Sequence, residues 1–91
     1  MEVVINEITY KVVKDYREGF VEEEVQNRMT DYFEAYDYVF GDWAYGKLRL
    51  KGFYKKTNKK VNKINNIENL DKYIEENCAY DCKHFLLEKV K

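Results

Sequence analysis

Residues Tyr36 to Phe53 read YDYVFGDWAYGKLRLKGF, and this stretch decides the fold. Tyr36, Tyr38 and Phe40 fall at alternate positions, and a second run from Lys47 to Tyr54 alternates again. Period-two placement of aromatic and aliphatic residues marks strands with half-buried faces. Between the runs, Gly41-Asp42 and Gly46 supply turn chemistry, so the stretch predicts two strands joined by a glycine-bounded loop. Successive strand side chains point to opposite faces, which puts Leu48, Leu50 and Tyr54 on one side and Lys47, Arg49, Lys51, Phe53 and Lys55 on the other. The expectation is a hairpin with Leu48 and Leu50 buried and with Lys47, Arg49 and Lys51 exposed. Its second face is cationic and carries one aromatic, Phe53.

Upstream, Val3–Ile5 and Ile8–Val13 are β-type runs separated by Asn6-Glu7, a two-residue spacing that predicts a hairpin. Gly19 breaks the polar bridge that follows. From Phe20 to Tyr36 the apolar residues Val21, Val25, Met29, Tyr32, Phe33 and Tyr36 recur at spacings of three and four, which predicts one amphipathic helix. Glu22, Glu23 and Glu24 crowd its first turn, where carboxylates suit the helix dipole; consecutive positions point apart, which argues against a metal site there. Downstream of the hairpin, a lysine-rich loop leads to a second helix begun by Asn65 and Glu68 in capping-box spacing, with Ile67, Leu70 and Ile74 on its buried side. A closing strand spans Phe85 to Val90. Together these elements predict an α+β fold: a mainly antiparallel sheet of four to five strands in the order ββαββαβ, with two helices on one side. Residues 1–91 make one domain.

Of the residues, 45% are apolar, but nine are tyrosines and the mean hydropathy is −0.74, which fits a small soluble domain rather than a disordered chain. No apolar run approaches the ~18 residues of a membrane span, and the N-terminus lacks a basic region and signal core, so a cytoplasmic location is expected. The net charge of −1 hides an asymmetry. From Trp43 to Ile67 there are eight lysines and arginines and no acid, leaving eight basic against 17 acidic residues elsewhere. A segregated basic block can hold a polyanion locally while the acidic remainder limits indiscriminate binding. The same block also fits a solvated spacer.

The block Gly41–Tyr54, GDWAYGKLRLKGFY, resembles the signature of the YutD-like family. Asp15–Phe20 (DYREGF) and Cys78-x3-Cys82 followed by Phe85-x-Leu87-Glu88-Lys89 resemble it too, so the likeness runs over nearly the whole chain. At Ala44 the chain departs from the glycine that the family pattern favours. The resemblance implies an intracellular α+β domain of low-GC Gram-positive bacteria, and it supplies no catalytic residues.

Cys78, Cys82 and His84 form C-x3-C-x-H. Zinc sites favour C-x2-C or C-x4-C with a distant second pair, and only three candidate ligands stand here, so no structural metal is expected. Two reduced thiols at a helix end are the simpler expectation, because cytosolic thiols stay reduced. A nucleophilic Cys82 activated by His84 and an Asp37/Asp42 carboxylate pair are the catalytic candidates, with Asp42 more simply a turn residue. An enzyme would need a pocket gathering Asp42, Tyr45, Arg49 or Cys82 with His84, and no phosphate-binding glycine loop is present. No cofactor is implied. Two binding roles remain. In the first, Trp43 and Tyr45 stack on bases while Lys47, Arg49, Lys51, Lys55 and Lys56, with Phe53 among them, line a phosphate track for RNA or another polyanion. In the second, the aromatic loop and acidic helix faces dock a protein partner.

Overall fold

The computed structural model describes residues 1–78 and 81–90. Five strands form one antiparallel sheet: β1 (Glu2–Ile5), β2 (Ile8–Tyr16), β3 (Tyr38–Ala44), β4 (Lys47–Phe53) and β5 (His84–Lys89). Their order is β1-β2-β5-β3-β4, so the last strand in sequence is the middle strand in space. Helix α1 spans Glu22–Arg28 and α2 spans Leu70–Asn77, which gives the expected succession ββαββαβ. The class is α+β, as the sequence predicts.

The first hairpin turns on Asn6 and Glu7, both in the left-handed region (φ 53° and 65°), which is the backbone a two-residue turn between twisted strands demands. The second hairpin pairs Trp43 with Leu48 and Asp42 with Arg49, and turns on Tyr45 and Gly46. Strand β3 therefore continues through Gly41 and Asp42, which the sequence assigned to a loop. Gly41 has a packing role: a Cβ there would run into the Phe85 ring on the neighbouring strand. The alternation in β4 holds at Lys47–Leu50, with Leu48 buried and Leu50 half-buried on one face and Lys47 and Arg49 exposed on the other. Lys51, expected to be exposed, is half-buried against the Phe53 and Tyr73 rings.

The helices lie on opposite faces of the sheet rather than on one side. Val25 and Met29 of α1 pack with Val39, Leu48, Phe85 and Leu87. Leu70 of α2 packs with Phe40, Phe53 and Leu86, joined by Tyr73 and Ile74. Adjacent residues on a strand face opposite ways, so Val39 and Phe40, or Leu86 and Leu87, serve different layers. The central strands β3 and β5 are apolar on both faces and need a cover on each. Fully burying a side chain of this kind stabilises the fold by roughly 1.5–3 kcal/mol, so each short helix is held mainly by the layer it closes.

The single helix expected from Phe20 to Tyr36 is two pieces. Helix α1 ends at Arg28, Met29 and Thr30 are extended, and a 3-10 turn covers Asp31–Ala35. The Asn6 side-chain amide donates to the Met29 carbonyl at 3.2 Å, so the β1–β2 turn takes a carbonyl left open where the helix stops. Val25 and Met29 are buried as the stripe requires, but Tyr32 is 65% exposed. Ahead of the second helix the side-chain cap is Asn66, not Asn65, and it caps a 3-10 turn: it accepts from the Glu68 amide, while the Asn65 carbonyl accepts from the Tyr54 amide. That turn, Ile67–Asn69, then leads into α2, and Asn69, at the start of α2, makes no side-chain cap bond.

Candidate functional site

The face under α2 carries a row of polar residues that runs straight across four strands. Tyr16 of β2 is paired with His84 of β5, His84 with Asp42 of β3, and Asp42 with Arg49 of β4. The C-terminal end of α2 lies over this row, and a cleft opens on either flank of the helix.

At the β4 end, Asp42 is 2% exposed and receives both Nε (2.9 Å) and Nη2 (2.6 Å) of Arg49. Nη2 of Arg49 also donates to the Asn77 carbonyl at 3.1 Å, so one guanidinium ties the sheet to the last turn of α2. The hydrogen bond with Asp42 raises the Arg49 pKa above its ordinary value. Burial, with Asp42 nearby, pushes the Tyr73 phenol up. Asp37, the other carboxylate considered for catalysis, is engaged elsewhere: it accepts from the Lys55 amide (2.8 Å) and the Asn58 side chain (3.1 Å), shaping the lysine loop.

At the β2 end, His84 is 7% exposed and stacked on Tyr16 with 4.9 Å between ring centroids. Its Nδ1 lies 3.1 Å from the Cys82 carbonyl. A carbonyl only accepts, so Nδ1 is the donor here, and Nε2 is the lone-pair nitrogen of that tautomer. That buried Nε2 has no partner among the described residues, an arrangement that costs about 1–3 kcal/mol. Cys78 and Cys82 are joined as a disulfide, which replaces the pair of reduced thiols expected from sequence and removes the thiol a Cys82 nucleophile would need. One donor atom each from Cys78, Cys82 and His84 lie within 4.8 Å of one another. The C-x3-C-x-H spacing already groups these three residues, and Asp81, just before Cys82, takes a left-handed turn (φ 62°). Asp81 itself is held by Tyr16 Oη and Arg17.

The residues proposed from sequence for anion binding divide under these contacts. Tyr45 is wholly exposed at the hairpin tip, and Lys47 beside it is exposed. Trp43 is half-buried: its indole N–H donates to the Gly19 carbonyl at 2.7 Å, and Lys83 Nζ sits 4.8 Å from the ring centre. Arg49 is committed to Asp42, and Phe53 is fully buried because α2 covers this face. Lys51 lies over the Phe53 and Tyr73 rings at 5.0 and 5.5 Å. Lys55 is half-buried, and Lys56 pairs with Glu68 at 3.5 Å.

Beyond Lys51, sequence reasoning missed the second cleft, an open groove of about 840 Å³ between β4 and α2. Lys51, Lys63 and Lys72 stand around it against the single acid Glu76, and Ile64 and Tyr73 give it apolar surface. Lys72 belongs to a helix whose placement over β4 is a long-range fact, so only the basic half of the groove was visible in the charge block. Among the described residues, no helix is long and apolar enough to cross a membrane.

Comparison with known proteins agrees with this architecture. The model of the YutD-like family, described as "Putative antitoxin YutD-like", matches residues 4–88. A Bacillus subtilis (strain 168) protein described as "Putative antitoxin YutD" is 38% identical over 89 residues, covering 98% of this chain and 98% of the relative. The solution NMR structure of protein yutD from B. subtilis aligns with 100% of this chain and 83% of its own, at 37% identity and a TM-score of 0.83.

Proposed function

The chain belongs to the YutD-like family, and we propose that it works by binding: it grips an acidic segment of a partner protein in the lysine-lined groove between β4 and α2. The groove carries the reading. Three lysines face one glutamate around Ile64, which is 75% exposed, and the half-buried Tyr73. Lysines beside the exposed Ile64 and the half-buried Tyr73 ring complement a chain segment that mixes carboxylates with an apolar side chain, and rim charges of this kind steer encounter and set specificity. The description of the Bacillus relative as an antitoxin fits a protein that acts by holding a partner.

RNA is the competing ligand of such a surface. Sequence-tolerant RNA binding leans on stacked bases, worth roughly 1–3 kcal/mol each. Here Phe53 is buried and Trp43 is held by Gly19 and covered by Lys83, which leaves Tyr45 as the one fully exposed ring among the three aromatics considered. Lysines without a stacking platform favour carboxylates on a protein over a nucleic-acid track.

The test is capture from cell lysate with the wild-type chain and with K51E/K63E/K72E, each before and after nuclease treatment. A protein retained through nuclease and lost from the variant supports the reading. A partner released by nuclease means RNA is the ligand, and a partner kept by the variant removes the groove from the interface.

A further inference from the structure

On the other flank of α2 lies a cleft of about 440 Å³, lined by Cys78, Cys82 and His84 together with Tyr16, Glu75 and Asp81. We propose that reduction of the Cys78–Cys82 disulfide turns this cleft into a binding site for a divalent cation of the zinc class, with Cys78, Cys82 and His84 as ligands.

Three independent observations meet here. The first is donor placement: the two sulfurs are already joined to each other, and a ring nitrogen of His84 lies within 4.8 Å of both. Tetrahedral zinc with sulfur at about 2.3 Å and nitrogen at about 2.0 Å asks for separations of about 3.5–3.8 Å, so small side-chain movements complete the set. The second is His84. Its Nδ1–H donates to the Cys82 carbonyl, and its buried Nε2 lone pair has no partner among the described residues. Metal-bound histidines usually donate their other ring N–H to a carbonyl or carboxylate in this way, which holds the ring and its tautomer ready. The third is the cleft itself, which leaves room for water at a fourth position and adds the negative charge of Glu75. Asp81 is engaged by Tyr16 and Arg17 and is not needed as a ligand.

The chemistry balances with a dithiol as reductant. The disulfide takes up two electrons and two protons to give two thiols, and the dithiol closes to its own disulfide. On binding the cation, each thiol releases its proton to solvent and coordinates as thiolate, while the neutral imidazole gives its lone pair. In either state the end of α2 stays tied to the start of β5, by a covalent bond when oxidised and by the metal when reduced. The lysine groove lies on the opposite flank of the helix, so this site stands or falls separately.

Cobalt(II) is the probe. The full chain is reduced with a phosphine, freed of metal, and titrated anaerobically. The reduced wild type should reach saturation at one equivalent with thiolate-to-cobalt charge-transfer absorption and tetrahedral visible bands, and zinc should displace the cobalt. Oxidised wild type should show neither signal, C82S should lose the charge-transfer band, and H84N should bind at least about tenfold more weakly with altered visible bands. A reduced wild type without a saturable band overturns the proposal, as does an oxidised chain with the same spectrum. An H84N variant with wild-type affinity and bands overturns the three-ligand site. The oxidised–reduced comparison uses the wild-type chain alone, so the test does not depend on any variant folding.

Discussion

Replacing Arg49 with glutamine removes the cationic partner of Asp42, a carboxylate only 2% exposed. Two charge-assisted bonds at 2.9 and 2.6 Å are lost with it, and the Asn77 carbonyl loses its tie at 3.1 Å. Breaking a buried pair from one side costs about 3–5 kcal/mol, whereas an exposed pair is worth about 0–1 kcal/mol. The side chains here are 49% exposed for Arg49 and 3% for Asp42, so the pair sits between those limits. We therefore expect R49Q to lose about 2–3 kcal/mol, out of a stability of about 5–14 kcal/mol for a chain of this length. Melting should fall by roughly 10–20 °C. D42N/R49Q removes both charges, and its loss should be smaller than the two single losses together by about 1 kcal/mol or more. Urea unfolding followed by circular dichroism measures all of these, with an unchanged slope expected in each variant. An R49Q variant within about 0.5 kcal/mol of wild type, the scatter of surface substitutions, would refute the view that this guanidinium holds the buried carboxylate and the end of α2.

Other substitutions test other parts of the fold. G41A drives a methyl into the Phe85 ring at the centre of the sheet and should cost about 1–3 kcal/mol in the same urea assay. N6G keeps the left-handed turn but gives up the bond to the Met29 carbonyl, so it should lose about 0.5–1.5 kcal/mol and lower helicity. Tyr36, hydrogen-bonded to Tyr32 and partly desolvated, has its pKa pushed up to about 12. Because its folded-state pKa is raised, its contribution to stability is complete below pH about 10 and is lost as pH rises towards 12, so Y36F should flatten the fall in melting temperature across that window.

The sequence revealed those features that local chemistry determines. Alternation in Lys47–Phe53 placed Leu48 and Arg49 on their correct faces, and the Asn6-Glu7 spacing found the first hairpin. The family signature pointed to the family that the chain matches over residues 4–88. Strand order was hidden because β5 closes against β2, some seventy residues upstream in sequence, and against β3 on its other edge. The two-sided arrangement of helices did leave a trace: Val39-Phe40 and Phe85-Leu86-Leu87 are continuous apolar runs, the pattern of strands buried on both faces. The break after Arg28 involves a bond from Asn6, a long-range contact that spacing does not show, whereas the Cys78, Cys82 and His84 trio was visible as C-x3-C-x-H but its disulfide was not. The face expected to be cationic and open is largely covered: α2 buries Phe53 and engages Arg49, and Lys51, Lys63 and Lys72 lie along its flank.

The most direct test of the binding account is to map the contact surface by hydrogen exchange, comparing the free chain with the chain bound to the protein it captures from lysate. The account predicts new protection at Lys47–Lys51 on the outer edge of β4 and from Lys63 to Asn77 around the groove, with β1, β2 and the Tyr45 tip unchanged. Protection centred on Trp43–Lys47, with residues 63–77 unaffected, would contradict it.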